Sequence, residues 1–171
     1  MNHLAGPPVL SRRALNRALL ARQALLERVE TPAVAMIEHL AGMQAQAPNA
    51  PYVGLWTRLA GFDAAELAGL VETRQVVRAS LMRVTIHLVS RTDFLAWWPI
   101  LQPVLERGFR NSAFRRNLAG LDLEHVVAVA RATREQEPRT RADLGARLAD
   151  RWPGRDPLSL AIAIGHREST V

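Results

Sequence analysis

VVRASLMRVTIHLVS, residues 76–90, is the stretch in which the apolar rhythm of this chain changes. Upstream, apolar residues recur at helical spacing. Within it Val77, Ala79 and Leu81 alternate with polar neighbours, and Val84, Ile86 and Leu88 do so again a few residues later. A two-residue repeat belongs to a strand, whose successive side chains point to opposite faces. The stretch is expected to form a β-hairpin turning near Met82 and Arg83, with Thr85 and His87 on the face opposite Ile86 and Leu88, which they share with Arg83.

The residues before it predict a series of short helices. Ser11 can cap a segment in which Leu15, Ala18, Leu19, Leu25 and Leu26 keep helical spacing, with Arg12, Arg13 and Arg17 near its start. Thr31 and Pro32 offer the cap and first turn of a second helix, carrying Ala33, Ile37, Leu40 and Ala41 inward and ending near Gly42. Tyr52, Leu55, Trp56 and Leu59 line a third, and Asp63 starts a fourth with Leu67, Ala68 and Val71 inward. Helices followed by a hairpin are the order of a winged helix, in which the third helix commonly docks on DNA and the hairpin is the wing, although other small helical domains share the pattern.

Beyond the hairpin, residues 91–117 are expected to be helical with interruptions. Thr92 caps a first turn, Pro99 suits the start of a new helix, and Pro103 should kink it. Asp122, Thr140 and Asp156 begin three further helical segments. The expected fold class is mainly α with a small β-hairpin, a tandem winged helix-turn-helix architecture whose second unit is incomplete. The expected division is a winged-helix domain over 10–90, a helical connector over 91–118 and a partial second winged helix over 119–171, which lacks its wing.

Composition narrows the function classes. Of 171 residues, 49% are hydrophobic and 22% charged, values typical of folded globular chains rather than of disordered ones. The apolar run 158–164 is too short to cross a bilayer, and MNHLAGPPVLSRR lacks the regions of a signal peptide, so a cytoplasmic protein is expected. Absent cysteine excludes disulfides and thiolate metal sites. No histidine pair has metal-ligand spacing, and no phosphate-cradling glycine loop appears, so neither metal nor cofactor is expected. The net charge is +6, and all 22 basic residues are arginine, whose forked donors suit phosphate. Complete absence of lysine amid abundant alanine and leucine is also the codon signature of a GC-rich genome, so charge alone does not decide for nucleic acid.

MQAQAPNAPYVGLW, residues 43–56, places Gln44 and Gln46 one residue apart in a short turn. In an extended turn both amides point the same way and could converge on one site. Taken alone, such a pair also suits bracing of backbone groups at a helix end. The stretches LSRRALNRALLARQALLER, HLAGMQAQAPNAPYVGLWTRL, VVRASLMRVTIHLVS and RTDFLAWWPILQPVLERGF together resemble the winged-helix DNA-binding family that contains the AlkZ-like DNA glycosylases, over roughly residues 10–160.

That resemblance implies a basic channel for double-stranded DNA, alkylated or crosslinked, a monomeric protein, and a catalytic pair at Gln44 and Gln46. The activity it implies is hydrolysis of the N-glycosidic bond of cationic alkylated purines, with crosslink unhooking. It also makes Thr85 and His87 look like the family's threonine-x-histidine hairpin motif, set to contact phosphate or position the lesion; a cross-strand polar pair on a solvated face is the other reading of these two. Arg78 and Arg83, aimed by the strands, and Arg107, Arg110, Arg115 and Arg116, clustered around a turn, are further candidates for DNA contact, a solvated surface being the more ordinary reading of the clustered four. Trp56, Trp97 and Trp98 are expected mainly in the core. Val84 stands where the family favours glycine, so an altered turn is expected. Family members are longer, so the chain is expected to be a truncated form; the alternatives to a glycosylase are a non-catalytic winged-helix DNA-binding module or regulator, and an inactive fragment.

Overall fold

A computed structural model of the chain describes residues 9–137 and 139–167. The N-terminal residues 1–8 and the final 168–171 lie outside it, and with them parts of the segments considered above for a targeting signal and for the second unit.

The elements run α1 (Arg12–Arg22), α2 (Ala33–His39), β1 (Met43–Gln44), α3 (Ala50–Trp56), α4 (Ala64–Glu72), β2 (Val76–Ser80), a 3-10 turn (Met82–Val84), β3 (Ile86–Ser90), α5 (Arg91–Arg110), α6 (Ala113–Asn117), α7 (Leu123–Gln136), α8 (Arg141–Arg151) and α9 (Pro157–Gly165). Mainly helical architecture with a small antiparallel sheet is thus present. The sheet has three strands in the order β1-β3-β2, one more than the hairpin expected. β1 is two residues long, too short for any periodicity to reveal.

Most helix starts follow the expected capping chemistry. Ser11, Asp63, Asp122, Thr140 and Asp156 each accept a backbone N–H of the first turn. At α9 both the amide and the hydroxyl of Ser159 donate to the Asp156 carboxylate, which holds its pKa below the ordinary carboxylate range. Two caps differ. Pro32, not Thr31, stands at the cap of α2, with no side-chain hydrogen bond. Ser90, the last residue of β3, caps α5 by accepting from Asp93 N–H, in place of Thr92.

α5 is one helix of 20 residues, not the interrupted segment expected, although it contains Pro99 and Pro103. Both rings lie on its exposed side, so the carbonyls of Leu95 and Pro99 that lose their helical N–H partner can bond water instead.

The hairpin register explains why the sheet carries apolar residues on both faces. Val77 pairs with Val89 and Ala79 with His87 on one face, while Arg78 pairs with Leu88 and Ser80 with Ile86 on the other. The two apolar rows of residues 76–90 therefore face opposite ways. Leu88, Val76 and Met43 join Ile37, Leu55 and Leu67 of the N-terminal helices in one core. Val89 joins Leu81, Phe94, Trp98 and Leu105 of α5 in a second. A third core, with Phe109, Leu118, Val126, Leu148 and Leu160, unites the end of α5 with α6 to α9. No strand follows α9 among the described residues.

Several expectations about packing fail: Ala41 and Val71, expected inward, are exposed. α1 forms but buries none of its residues, leaving Leu15 and Leu19 in solvent. Trp56 is 55% exposed rather than in the core, and the Arg28 guanidinium lies over its ring at 4.4 Å.

At the hairpin tip Arg83 and Val84 take φ of 55° and 61°. For a β-branched residue this left-handed conformation costs on the order of 1–2 kcal/mol. The Val84 side chain packs where a Cβ on Gly108 of α5 would stand, 3.3 Å from its Cγ2. A side chain at 108 would press on the strained residue, and glycine leaves it room. Replacing Gly108 by alanine should bring about 1 kcal/mol of helix propensity, and this gain is expected in a Val84→Gly background but not in the wild type. Chemical denaturation of the two single variants and the double variant reads the coupling; strict additivity would show that the two residues do not meet.

Candidate active site

Gln44 and Gln46 flank buried Ala45, and both are exposed. The strand-like path of 43–46 arises because β1 pairs with β3, Met43 opposite Leu88 and Gln44 opposite His87, and because Ala45 N–H continues the ladder to Ile86 O at 2.8 Å. Alternation then sends Met43 and Ala45 into the core and the two amides out.

The two glutamines differ in environment. Gln44 makes no side-chain hydrogen bond among the described residues and shares its face with His87 across the strand pair. Gln46 Oε1 accepts from Ile86 N–H at 3.3 Å, which leaves one lone pair and both amide hydrogens free. Gln46 also borders a cleft of about 320 Å³ between the hairpin, α5, α6, α8 and α9. Gln44 is not part of that lining.

Arg78 secures this turn. From β2 it reaches over β3 to donate Nε–H to Ala45 O at 2.8 Å and an Nη2 hydrogen to Gln46 O at 3.2 Å. Its fork is therefore occupied by backbone, although the residue remains exposed and borders the cleft.

The hairpin pair differs from its expected setting. The face carrying His87 is covered by α5, and His87 is only 7% exposed. Its Nδ1 lies 3.0 Å from Thr85 O, and a carbonyl can only accept, so Nδ1 carries the proton. Thr85 Oγ1 donates to Met82 O within the turn. Of the remaining arginines, Arg115 and Arg116 donate to the nearby carbonyls of Leu118 and Asn111. Arg83, Arg107 and Arg110 are exposed and make no side-chain bond among the described residues.

Thr57 and Arg58, at the end of α3, are likewise tied to backbone, donating to Gly54 O, with Arg58 also reaching Gln23 O. Burial lowers the pKa of Arg58 from its ordinary value.

The structure adds residues that local sequence did not point to. Arg141, at the start of α8, and His166, after α9, border the same cleft as Gln46 from the far side. His166 stacks on Phe109 with ring centroids 5.6 Å apart, and its Nδ1 lies 3.0 Å from Ile162 O. Neither carried a motif, because their role depends on a fold that brings positions 46 and 166 together.

The site is thus an exposed Gln-x-Gln edge beside a cleft, in a mainly helical chain with a three-stranded sheet. Residues 37–167 match the family described as "DNA glycosylase AlkZ-like", and the chain belongs to that family. Its fold is similar to that of Streptomyces sahachiroi DNA glycosylase AlkZ, with a TM-score of 0.66 and 19% sequence identity over 86% of this chain. The match spans 42% of the Streptomyces chain, so the present chain covers less than half of that protein. No curated protein matches.

Among the described residues no helix is long and apolar enough to cross a membrane, and no three His, Asp or Glu side chains gather as a metal site.

Removing the fork of Arg78 while keeping its charge should loosen the Gln turn. Arg78→Lys is expected to lower stability by about 1–2 kcal/mol, the worth of charge-assisted bonds to carbonyls at a partly exposed position, measured by chemical denaturation. An unchanged midpoint would show that the two bonds contribute nothing to the fold.

Proposed function

We propose that this chain binds double-stranded DNA and hydrolyses the N-glycosidic bond of cationic alkylated purines, with Gln44 and Gln46 as the catalytic pair. The observation that carries this reading is the exposure of both amides on either side of buried Ala45, one of them at the mouth of a cleft, in a chain of the AlkZ-like family.

The chemistry suits amides. A purine alkylated at N7 or N3 already bears positive charge, so the C1′–N9 bond can break heterolytically with its electron pair neutralising the departing base. Positive charge then builds on the sugar. A glutamine carbonyl stabilises that charge and accepts a hydrogen bond from the water that adds to C1′, whose proton passes to solvent. An amide is too weak a base to drive loss of a neutral base, which restricts the enzyme to activated lesions. Crosslink unhooking would be the same bond cleavage on a bridged purine.

The succession α2, β1, α3, α4, β2, β3 is read as a winged helix, with residues 91–118 connecting it to a partial second unit over 119–171 that shows no strand among its described residues. Of the arginines singled out from the sequence, Arg83 at the wing tip and Arg107 and Arg110 on α5 keep their guanidinium groups available for phosphate. His87, buried beside Gln44, is read as orienting the pair rather than touching phosphate. The chain is taken to act as a monomer in the cytoplasm.

One observation favours a second reading, a DNA-binding module or an inactive fragment without chemistry: Gln46 Oε1 is already engaged by Ile86 N–H, as a bracing residue would be. The two readings part on base release. Incubated with a duplex carrying N7-methylguanine, the wild type is expected to release the methylated base. Gln44→Ala and Gln46→Ala should each lose on the order of 100-fold in rate, as when one electrostatic stabiliser is removed, while still binding the duplex. Salt-sensitive DNA binding without release by any of the three proteins would select the binding module.

A further inference from the structure

α1 stands apart from the three cores. It buries none of its residues, and two hydrogen bonds hold its C-terminal end: His39 Nε2 donates to Arg22 O at 2.8 Å and Arg58 Nε to Gln23 O at 2.9 Å. Between that end, the segment 24–31 and α2 lies a groove of about 570 Å³, within the range of ligand pockets, roughly 300–1,000 Å³. Ala21, Ala24 and Ala35 are among its lining residues, and such small side chains leave the gap between the two helices open. Ala24 takes φ of 51° at the position after the helix where glycine is usual, and packs against the N-terminal core.

The groove differs in charge from the rest of the molecule. All 22 basic residues of the chain are arginine, yet no arginine is among its lining residues. The one carboxylate there is Glu27, exposed and without a hydrogen bond or ion pair among the described residues. His39 lines the groove too, and because Arg22 O can only accept, Nε2 carries the proton and Nδ1 of the neutral ring is an acceptor. Ala21 brings in the C-terminal end of α1, the negative pole of its dipole. Apolar side chains, Leu26, Val29 and Met36 among them, complete the walls. Phosphate needs donors, and Glu27 would repel it. Acceptors on an apolar floor suit a cation that carries donors on an apolar body.

We propose that this groove binds a small amphiphilic amine, with its apolar body between α1 and α2 and its ammonium group at Glu27. The bound molecule supplies the packing that α1 lacks, so occupancy fixes the helix against α2. The site is separate from Gln44 and Gln46 and does not depend on the reading given to them.

The test uses 4-phenylbutylamine as the probe on the full chain, with neutral 4-phenylbutanol and anionic 4-phenylbutyrate as controls. Saturation-transfer NMR is expected to show transfer to the phenyl protons of the amine, and excess amine should raise the melting temperature, as a ligand of the folded state does. The alcohol should bind about fivefold more weakly, the worth of one half-open ion pair, and the carboxylate more weakly still. Glu27→Gln should bring the amine down to the affinity of the alcohol and leave the alcohol unchanged. Ala21 is exposed, so Ala21→Leu fills the groove without touching the core and should remove binding of both; thermal melts check that each variant is folded. No transfer to the amine, equal affinity for the three probes, or undiminished binding by Ala21→Leu overturns the proposal. Tighter binding of the peptide acetyl-LRLL-amide than of the amine, lost in Ala21→Leu, would assign the groove to a protein partner and overturn it as well.

Discussion

β3 is the constraint on which the rest depends. Residues 86–90 are paired with β2 along one edge and, at Ile86 to Leu88, with the β1 segment along the other, and they are covered on both faces, by α2 to α4 on one side and α5 on the other. A strand so enclosed has its register strongly specified, because a one-residue slip would exchange the two buried rows. Everything at the candidate site hangs from it. Ile86 supplies the carbonyl that receives Ala45 N–H and the amide that meets Gln46 Oε1, and His87 stands opposite Gln44. The glutamine pair is thus an edge of the sheet rather than a free loop.

Rigidity of that edge comes from groups with no chemistry of their own. Arg78 donates to two successive carbonyls of the turn, and Ala45 anchors it in the core. In the proposed reaction a neutral amide would gain little from its own basicity, and its contribution would come from being held where charge develops. This is a use of arginine different from phosphate contact. It also shows why the net charge of +6 says little about the site, since Arg78 beside it, like Arg115 and Arg116 elsewhere, donates to backbone carbonyls.

Much of the fold could be read from residue order, and the failures have identifiable causes. The hairpin was visible in the alternation of residues 76–90, and five cap positions in Ser, Asp and Thr. What alternation concealed was parity: Val77 with Ala79 and Ile86 with Leu88 look like one face continued, but the length of the turn places them on opposite faces. His87 accordingly read as solvated and is buried. β1 left no periodic trace in two residues, so the sheet's third strand was invisible although the glutamines it presents were singled out. Pro99 and Pro103 signalled breaks that the exposed side of α5 absorbs. Val84 was expected to alter the turn; it adopts the left-handed geometry nonetheless, because Gly108 lies far away in sequence and offers it room. Arg141 and His166 could not have been found, since only tertiary structure sets them across from Gln46.

The absence of any loop between β3 and α5 has a mechanical meaning. Ser90 closes the strand and caps the helix, and the same helix ends with Phe109 embedded among α6 to α9. The two walls of the cleft are therefore joined by a strut of 20 residues, roughly 30 Å at helical rise, and not by a hinge. Opening or narrowing of the gap has to be taken up by flexing that strut, and its two prolines mark where it would yield first.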